Sequence, residues 1–196
     1  MLLKGGSAAD AAIATAITLT VVEPTMNGIG SDAFALIWDG ANLHGLNASG
    51  PSPAAWTAER FAGCAQMPTE GWDAVTVPGA VSAWAVLWKR FGKLPFPALF
   101  EPAIDYARNG FPVSPTVARQ WQIQLPRVKD QPGFAQAFTR EGRAPMAGEI
   151  FRFPDQAATL ELIAQSGGES FYRGGLAEKI AAFSHECGGA MTSKDL

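Results

Sequence analysis

The alanine-rich run between residues 8 and 22 constrains the fold more than any other feature, because a helix-start signal precedes it and a proline follows it. Ser7 and Asp10 form a variant of the capping box, in which each side chain binds the backbone N–H of the other residue. Pro24 stops the helix at about Val22, since proline restricts the conformation of the preceding residue. Many small side chains allow neighbouring elements to approach closely. We therefore predict a buried helix over residues 8–22.

Both ends of the sequence resemble interrupted elements. Leu2-Leu3-Lys4 followed by Gly5 is typical of the last turn of a helix. Residues 191–196 are typical of the first turn of another helix, with Asp195 inside that turn. A domain seldom opens at the end of one element and stops at the beginning of another. The sequence therefore predicts that residues 1–196 form one partial domain with both ends truncated.

The intervening pattern predicts a mostly helical α+β fold with one β-hairpin. Residues 33–38 have strand character, Asp39-Gly40 favours a two-residue turn, and the return strand covers residues 42–46. Segment 114–125 fits both strand and helix spacing, and we assign it to a helix. Residues 126–153 are rich in proline and glycine and predict loops. Further helices are predicted from Pro78 to the glycine at 92 and over 101–109, 155–166 and 176–187.

Composition excludes two classes of function. The net charge is −3 and the 15 lysines and arginines occur mostly singly, whereas nucleic-acid binding requires them in clusters. The apolar, uncharged run at residues 11–22 has only 12 residues, and a membrane span needs about 20. No signal peptide is visible, and the sequence predicts no particular compartment.

The residues that bind metals and cofactors are scarce. The only cysteines are Cys64 and Cys187, which are far apart, and the only histidines are His44 and His185. The segment 28–33 matches the letters of the dinucleotide fingerprint, but that motif needs a strand before it and a helix after it. Here a helix precedes and a strand follows. We predict no metal and no cofactor.

No catalytic centre is predicted within the chain. It lacks the G-x-S-x-G elbow of the serine hydrolases. His44 is predicted to lie mid-strand, and His185 lies near the end of a helix. His185 and Cys187 are two positions apart, a spacing at which helical side chains do not face each other.

Several blocks of the sequence occur in a characteristic order: residues 4–12, 22–24, 28–30, 34–38, 77–81, 88–95, 101–111, 169–174 and 188–196. Together they resemble the gamma-glutamyltransferase (gamma-glutamyltranspeptidase) family. Members are N-terminal-nucleophile hydrolases with an αββα sandwich, made as a longer precursor that cleaves itself into a large and a small subunit. The new amino-terminal threonine of the small subunit is the nucleophile, and its own amine is the base.

This resemblance implies that the chain is the front part of the large subunit, with the threonine beyond Leu196. It implies a zymogen whose mature form acts on gamma-glutamyl amides of the glutathione type and passes the acyl group to water or an amine. The partners would be the rest of the large subunit and the small subunit of the same precursor. The isolated chain is then expected to be inactive, as a structural fragment would be.

One position departs from the family pattern. Typical members carry Arg-Glu-x-Ala-Pro after the hairpin, and that arginine clamps the glutamyl α-carboxylate. Aligning the proline with Pro53 puts Ser49 at the arginine position, and a shifted register puts Pro51 there. Losing the bidentate pair is expected to weaken glutamyl binding by about 2–4 kcal/mol. Ser49 is therefore the candidate substrate-binding position, and Arg60 is an alternative source of the positive charge. The alternative function is an acylase that acts on glutaryl or cephalosporin side chains.

Overall fold

The computed structural model describes residues 1–196, which form two compact units. One unit comprises Met1–Gly28 with Phe91–Ala164, and the other comprises Ile29–Arg90 with Gln165–Leu196. The strands are β1 (Ala33–Trp38), β2 (Leu43–Ala48), β3 (Phe111–Pro112) and β4 (Ile150–Phe151). The helices are α1 (Ala8–Val22), α2 (Ala80–Phe91), α3 (Glu101–Asn109), α4 (Pro115–Val128), α5 (Phe134–Phe138), α6 (Pro154–Gln165), α7 (Glu169–Tyr172) and α8 (Gly175–Glu186). None of them is long and apolar enough to cross a membrane.

The predicted capping box organises the first unit. The Ser7 side chain accepts a hydrogen bond from the Asp10 N–H, and the Asp10 carboxylate accepts one from the Ser7 N–H at 2.7 Å. The same carboxylate accepts hydrogen bonds from the backbone N–H groups of Lys93 and Leu94, at 2.9 and 3.3 Å. Asp10 therefore caps α1 and also holds the distant segment that follows α2.

The Asp10 carboxylate is fully buried, yet hydrogen-bond donors surround it and stabilise its negative charge. Burial by itself raises the pKa of Asp10, but the hydrogen bonds from Ser7, Lys93 and Leu94 together outweigh it and leave the pKa below its ordinary value. A buried carboxylate is tolerated only when such donors replace the lost water. The Asp10 network is therefore expected to stabilise the protein at neutral pH.

The core of this unit has two parts. Helix α1 packs against α3 and the 3-10 turn Phe96–Leu99, and it buries Ile13, Ile17 and Val21. The second part is an aromatic cluster around Trp121, whose ring lies 5.0 Å from that of Phe151 between ring centres. The cluster also includes Phe138 and Phe153.

The β-hairpin of the second unit differs from its prediction at the turn. Strand β1 has the predicted bounds, but the register pairs Trp38 with Leu43 and the Asp39 N–H donates to the Asn42 carbonyl at 3.2 Å, so the two turn residues are Gly40 and Ala41 rather than Asp39 and Gly40. The Asp39 carboxylate accepts hydrogen bonds from the backbone N–H groups of Ala41 and Asn42, at 2.9 and 2.7 Å. This side-chain capping stabilises the turn. A two-residue turn is therefore present, one residue later than predicted, and the return strand is Leu43–Ala48 rather than residues 42–46.

A second strand pair was not expected from the sequence. Phe111 pairs with Phe151 and Pro112 with Ile150 in an antiparallel arrangement. Because β3 and β4 are separated by α4 and α5, they form no hairpin, and the prediction of one hairpin holds. The β3–β4 pair itself was missed because strands of two residues are too short to show an alternating pattern. The helix prediction for segment 114–125 is confirmed by α4, which Ser114 caps through the Val117 N–H.

One face of the β1–β2 hairpin is apolar and exposed. Phe34, Leu36, Trp38 and Leu43 keep between 63% and 76% of their surface accessible. They share a face because alternate residues of a strand point the same way. An apolar patch of this kind is typical of surface that other polypeptide covers.

We expect Asp10→Asn to lower the free energy of unfolding by about 3 kcal/mol, because the amide loses the negative charge and turns an NH2 group toward the Lys93 N–H, which donates to both carboxylate oxygens. The Asp10 pKa is lower in the folded protein than its ordinary value of 3.8. Its contribution is therefore complete well above pH 3.8 and is lost as the pH falls through the folded-state pKa. Denaturant titrations at neutral and acidic pH measure both effects.

The matched control is Asp130→Asn, since Asp130 is exposed. We expect this control to change stability by less than about 0.5 kcal/mol. Equal losses from the two substitutions would contradict the role of the Asp10 network.

Candidate functional site

A cleft of about 760 Å³ in the second unit contains Ser49, the predicted substrate-binding position. The end of β2 and the segments that follow it form one wall, and α2 and α7 contribute others. Ser49 is half-buried there. Its N–H donates to the Asn47 side chain at 3.0 Å, and its carbonyl accepts from the Thr76 hydroxyl at 3.4 Å. The backbone of Ser49 is thus held on both sides.

Two glycines explain how the chain reaches this arrangement. Gly50 has a φ of +74°, and a Cβ there would lie 1.7 Å from the Val77 carbonyl oxygen. A Cβ at Gly79 would lie 1.9 Å from the Ala48 carbonyl oxygen. No side chain fits at either point, so segments 48–50 and 77–79 cross with their backbones in contact. We call this the glycine crossing, and it fixes where Ser49 lies.

A tyrosine stabilises the same crossing from α7. The Tyr172 hydroxyl donates to the Pro78 carbonyl at 2.8 Å and accepts from the Ser82 N–H at 2.9 Å. Burial raises the pKa of this phenol, so it remains a neutral donor at physiological pH. Residues 77–79 and 172 belong to two of the sequence blocks noted above, and the structure brings these blocks together.

The charges of the cleft come from three side chains. Arg173 is its one cation, and Glu169 and Asp195 are its carboxylates. Asp195 accepts hydrogen bonds from the Ala54 N–H at 2.8 Å and from the Thr192 N–H and hydroxyl at 2.7 and 2.8 Å. These bonds, that from Ala54 above all, lower the pKa of Asp195. Asp195 is therefore committed to holding the chain, whereas Glu169 pairs with Arg173 at 2.6 Å.

The structure separates the other candidate residues from this cleft. Arg60 donates to Asp73 at 2.9 Å and to the Gly188 carbonyl at 3.0 Å, and it does not line the cleft. It is therefore not placed to replace the missing family arginine. Cys64 and Cys187 are free thiols.

The histidines also lie outside the cleft. His44 lies within β2, as predicted mid-strand, and its ring nitrogens contact Asp39 at 2.6 Å and Arg90 at 2.7 Å. His185 lies in the last turn of α8. No group of three His, Cys, Asp or Glu side chains is placed to hold a metal ion.

Sequence reasoning missed Arg173 and Tyr172 as cleft residues. Both lie in the block of residues 169–174, which contributed to the family resemblance without a role for either side chain. Their neighbourhood depends on contacts between segments about 90 residues apart. Local patterns do not report such contacts.

The comparison with known families decides the assignment. A sequence model described as gamma-glutamyltranspeptidase matches residues 1–196. The chain belongs to the gamma-glutamyltranspeptidase family. It is 40% identical over 195 residues to the glutathione hydrolase-like YwrD proenzyme of Bacillus subtilis (strain 168), covering 98% of this chain and 37% of that relative.

Solved structures of relatives have the same fold. A cephalosporin acylase from Bacillus halodurans matches 99% of this chain and 38% of its own chain, with 51% identity and a TM-score of 0.93. A Helicobacter pylori gamma-glutamyltranspeptidase matches 99% of this chain and 58% of its own, with 29% identity and a TM-score of 0.94. The chain thus spans well under half the length of the curated relative above.

We expect Gly79→Ala to destabilise the protein by about 3 kcal/mol or more, because the new methyl group collides with backbone rather than with a movable side chain. Gly50→Ala should have a similar effect, since the alanine would collide with backbone and would also be forced into the positive φ that Gly50 adopts. The measurement is chemical denaturation of the purified variants.

Gly63→Ala is the control, because a Cβ at Gly63 meets nothing within 4 Å. Its effect should remain within about 0.5 kcal/mol of zero. If Gly79→Ala were equally harmless, the two segments would not be in contact as described.

Proposed function

We propose that residues 1–196 are the front part of the large subunit of a gamma-glutamyltransferase-like amide hydrolase or acyltransferase. The observation that carries this proposal is the match of the whole chain to the family, while covering only 37% of the YwrD relative. The remaining polypeptide would supply the rest of the large subunit and the small subunit. Both would be the protein partners of this chain, and the substrate would be a gamma-glutamyl or related acyl amide.

The proposed chemistry takes place on a threonine outside this chain. The threonine hydroxyl attacks the amide carbon, its proton passes to the threonine's own α-amine and then to the leaving amine, and an acyl ester forms. Water or an acceptor amine then attacks the ester and releases the threonine hydroxyl. Residues of this chain do not react in either step. Their part is to shape the acyl site, with Ser49 as the proposed substrate-binding position, and the isolated chain is inactive.

We also propose that the hairpin belongs to an αββα sandwich. Its exposed face carries Phe34, Leu36, Trp38 and Leu43, and a two-stranded hairpin is marginally stable by itself. A further sheet supplied by the remaining polypeptide would bury this face, because aligned sheets pack through their apolar sides. The apolar face supports the sandwich but does not identify the strands that cover it.

A second candidate is an acylase for other amides, such as glutaryl or cephalosporin side chains. One observation favours it: the chain is 51% identical to a cephalosporin acylase from Bacillus halodurans. It would use the same acyl-enzyme chemistry, so the two candidates differ only in the acyl group that the cleft accepts.

The first test is the intact mass of the protein expressed from the complete gene that contains these residues. We expect two fragments whose masses sum to that of the precursor, with threonine as the first residue of the smaller one. A single uncleaved chain would contradict the self-cleaving hydrolase and favour a non-catalytic structural role. The 196-residue chain serves as the negative control and should not hydrolyse a gamma-glutamyl anilide.

The second test compares kcat/KM of the processed protein for gamma-glutamyl and glutaryl p-nitroanilides. The glutathione-type function predicts a preference of about tenfold or more for the gamma-glutamyl compound, equivalent to one charged hydrogen bond to the α-ammonium. A preference for glutaryl would instead support the acylase. Failure to hydrolyse either compound would contradict both candidates.

A further inference from the structure

A carboxylate-bearing acyl group requires a cation that the Ser49 position does not supply. In gamma-glutamyl and glutaryl groups alike, the terminal carboxylate is separated from the reacting carbonyl by three carbons. The two groups differ only in the α-ammonium of the glutamyl compound. Both therefore need a positive side chain at the far end of the acyl site, and Ser49 is uncharged.

Arg173 is the one cation in the cleft that contains Ser49. Its Nη1 donates to the Glu169 carboxylate at 2.6 Å, while Nε and Nη2 have no hydrogen-bond partner. Nε and Nη2 form the edge of the guanidinium that binds a carboxylate through two parallel hydrogen bonds. The edge that matches a substrate carboxylate is therefore available without breaking the pair with Glu169.

The Arg173–Glu169 pair is also easy to rearrange. Their side chains are 77% and 59% exposed, and they lie four positions apart. Exposed pairs of this kind contribute little to stability, so adjustment to a substrate is inexpensive. Tyr172, which precedes Arg173, is fixed to Pro78 and Ser82, and this contact holds the base of the arginine beside the glycine crossing.

We infer that Arg173 binds the terminal carboxylate of the acyl group, and that Glu169 beside it binds an α-ammonium where the acyl group carries one. This inference rests on the proposed function, because it assumes that the cleft accepts the acyl group. It makes the pair a specificity determinant: Arg173 selects acyl groups with a carboxylate, and Glu169 discriminates gamma-glutamyl from glutaryl.

The test uses the processed protein from the complete gene and three p-nitroanilides: gamma-glutamyl, glutaryl and valeryl, the last having no carboxylate. Arg173→Gln should raise KM for the first two by about 10- to 100-fold, as expected for loss of charged hydrogen bonds, and leave the valeryl compound unchanged. Arg173→Lys should restore part of the loss, since it keeps the charge without the fork. Glu169→Gln should raise KM for the gamma-glutamyl compound only.

Arg108→Gln is the matched control, because Arg108 also pairs with a glutamate, Glu161, but does not line the cleft. It should leave all three KM values unchanged. The inference would be overturned if the unaltered protein hydrolysed the carboxylate-bearing anilides but Arg173→Gln changed KM equally for all three compounds, or for none. That result would leave the proposed function intact. An unaltered protein that hydrolyses none of the three would overturn the proposed function and this inference with it.

Discussion

The candidate site depends on a backbone contact that leaves no room for a side chain. At Gly50 and Gly79 the two segments approach so closely that any other residue would require one of them to move. The Val77 N–H donates to the Pro51 carbonyl at 2.9 Å, so the contact is also hydrogen-bonded. The position of Ser49 and the start of α2 both follow from this crossing.

The family motifs acquire physical roles around that crossing. The glycine after Pro78 permits the close approach, and the tyrosine of α7 satisfies the Pro78 carbonyl and the Ser82 N–H at the first turn of α2. Blocks that are separated by about 90 residues therefore act as one structural unit.

The sequence predicted the elements that local chemistry determines. The capping box of Ser7 and Asp10, the end of α1 before Pro24, and the bounds of β1 and α3 all follow from short-range rules. The turn after β1 lies one residue later than predicted, because the Asp39 side chain accepts hydrogen bonds from the Ala41 and Asn42 N–H groups. The β3–β4 pair was not predicted, because a strand of two residues shows no alternating pattern.

The sequence by itself determined the family, the mixed helical and strand character, and the absence of a cation at Ser49, since each is written in residue types and their order. Only the tertiary structure decided that Arg173 shares the cleft with Ser49 while Arg60 does not. It also showed that Asp10 receives N–H groups from residues more than 80 positions away. These outcomes depend on contacts between segments that are distant in sequence, and local preferences do not encode such contacts.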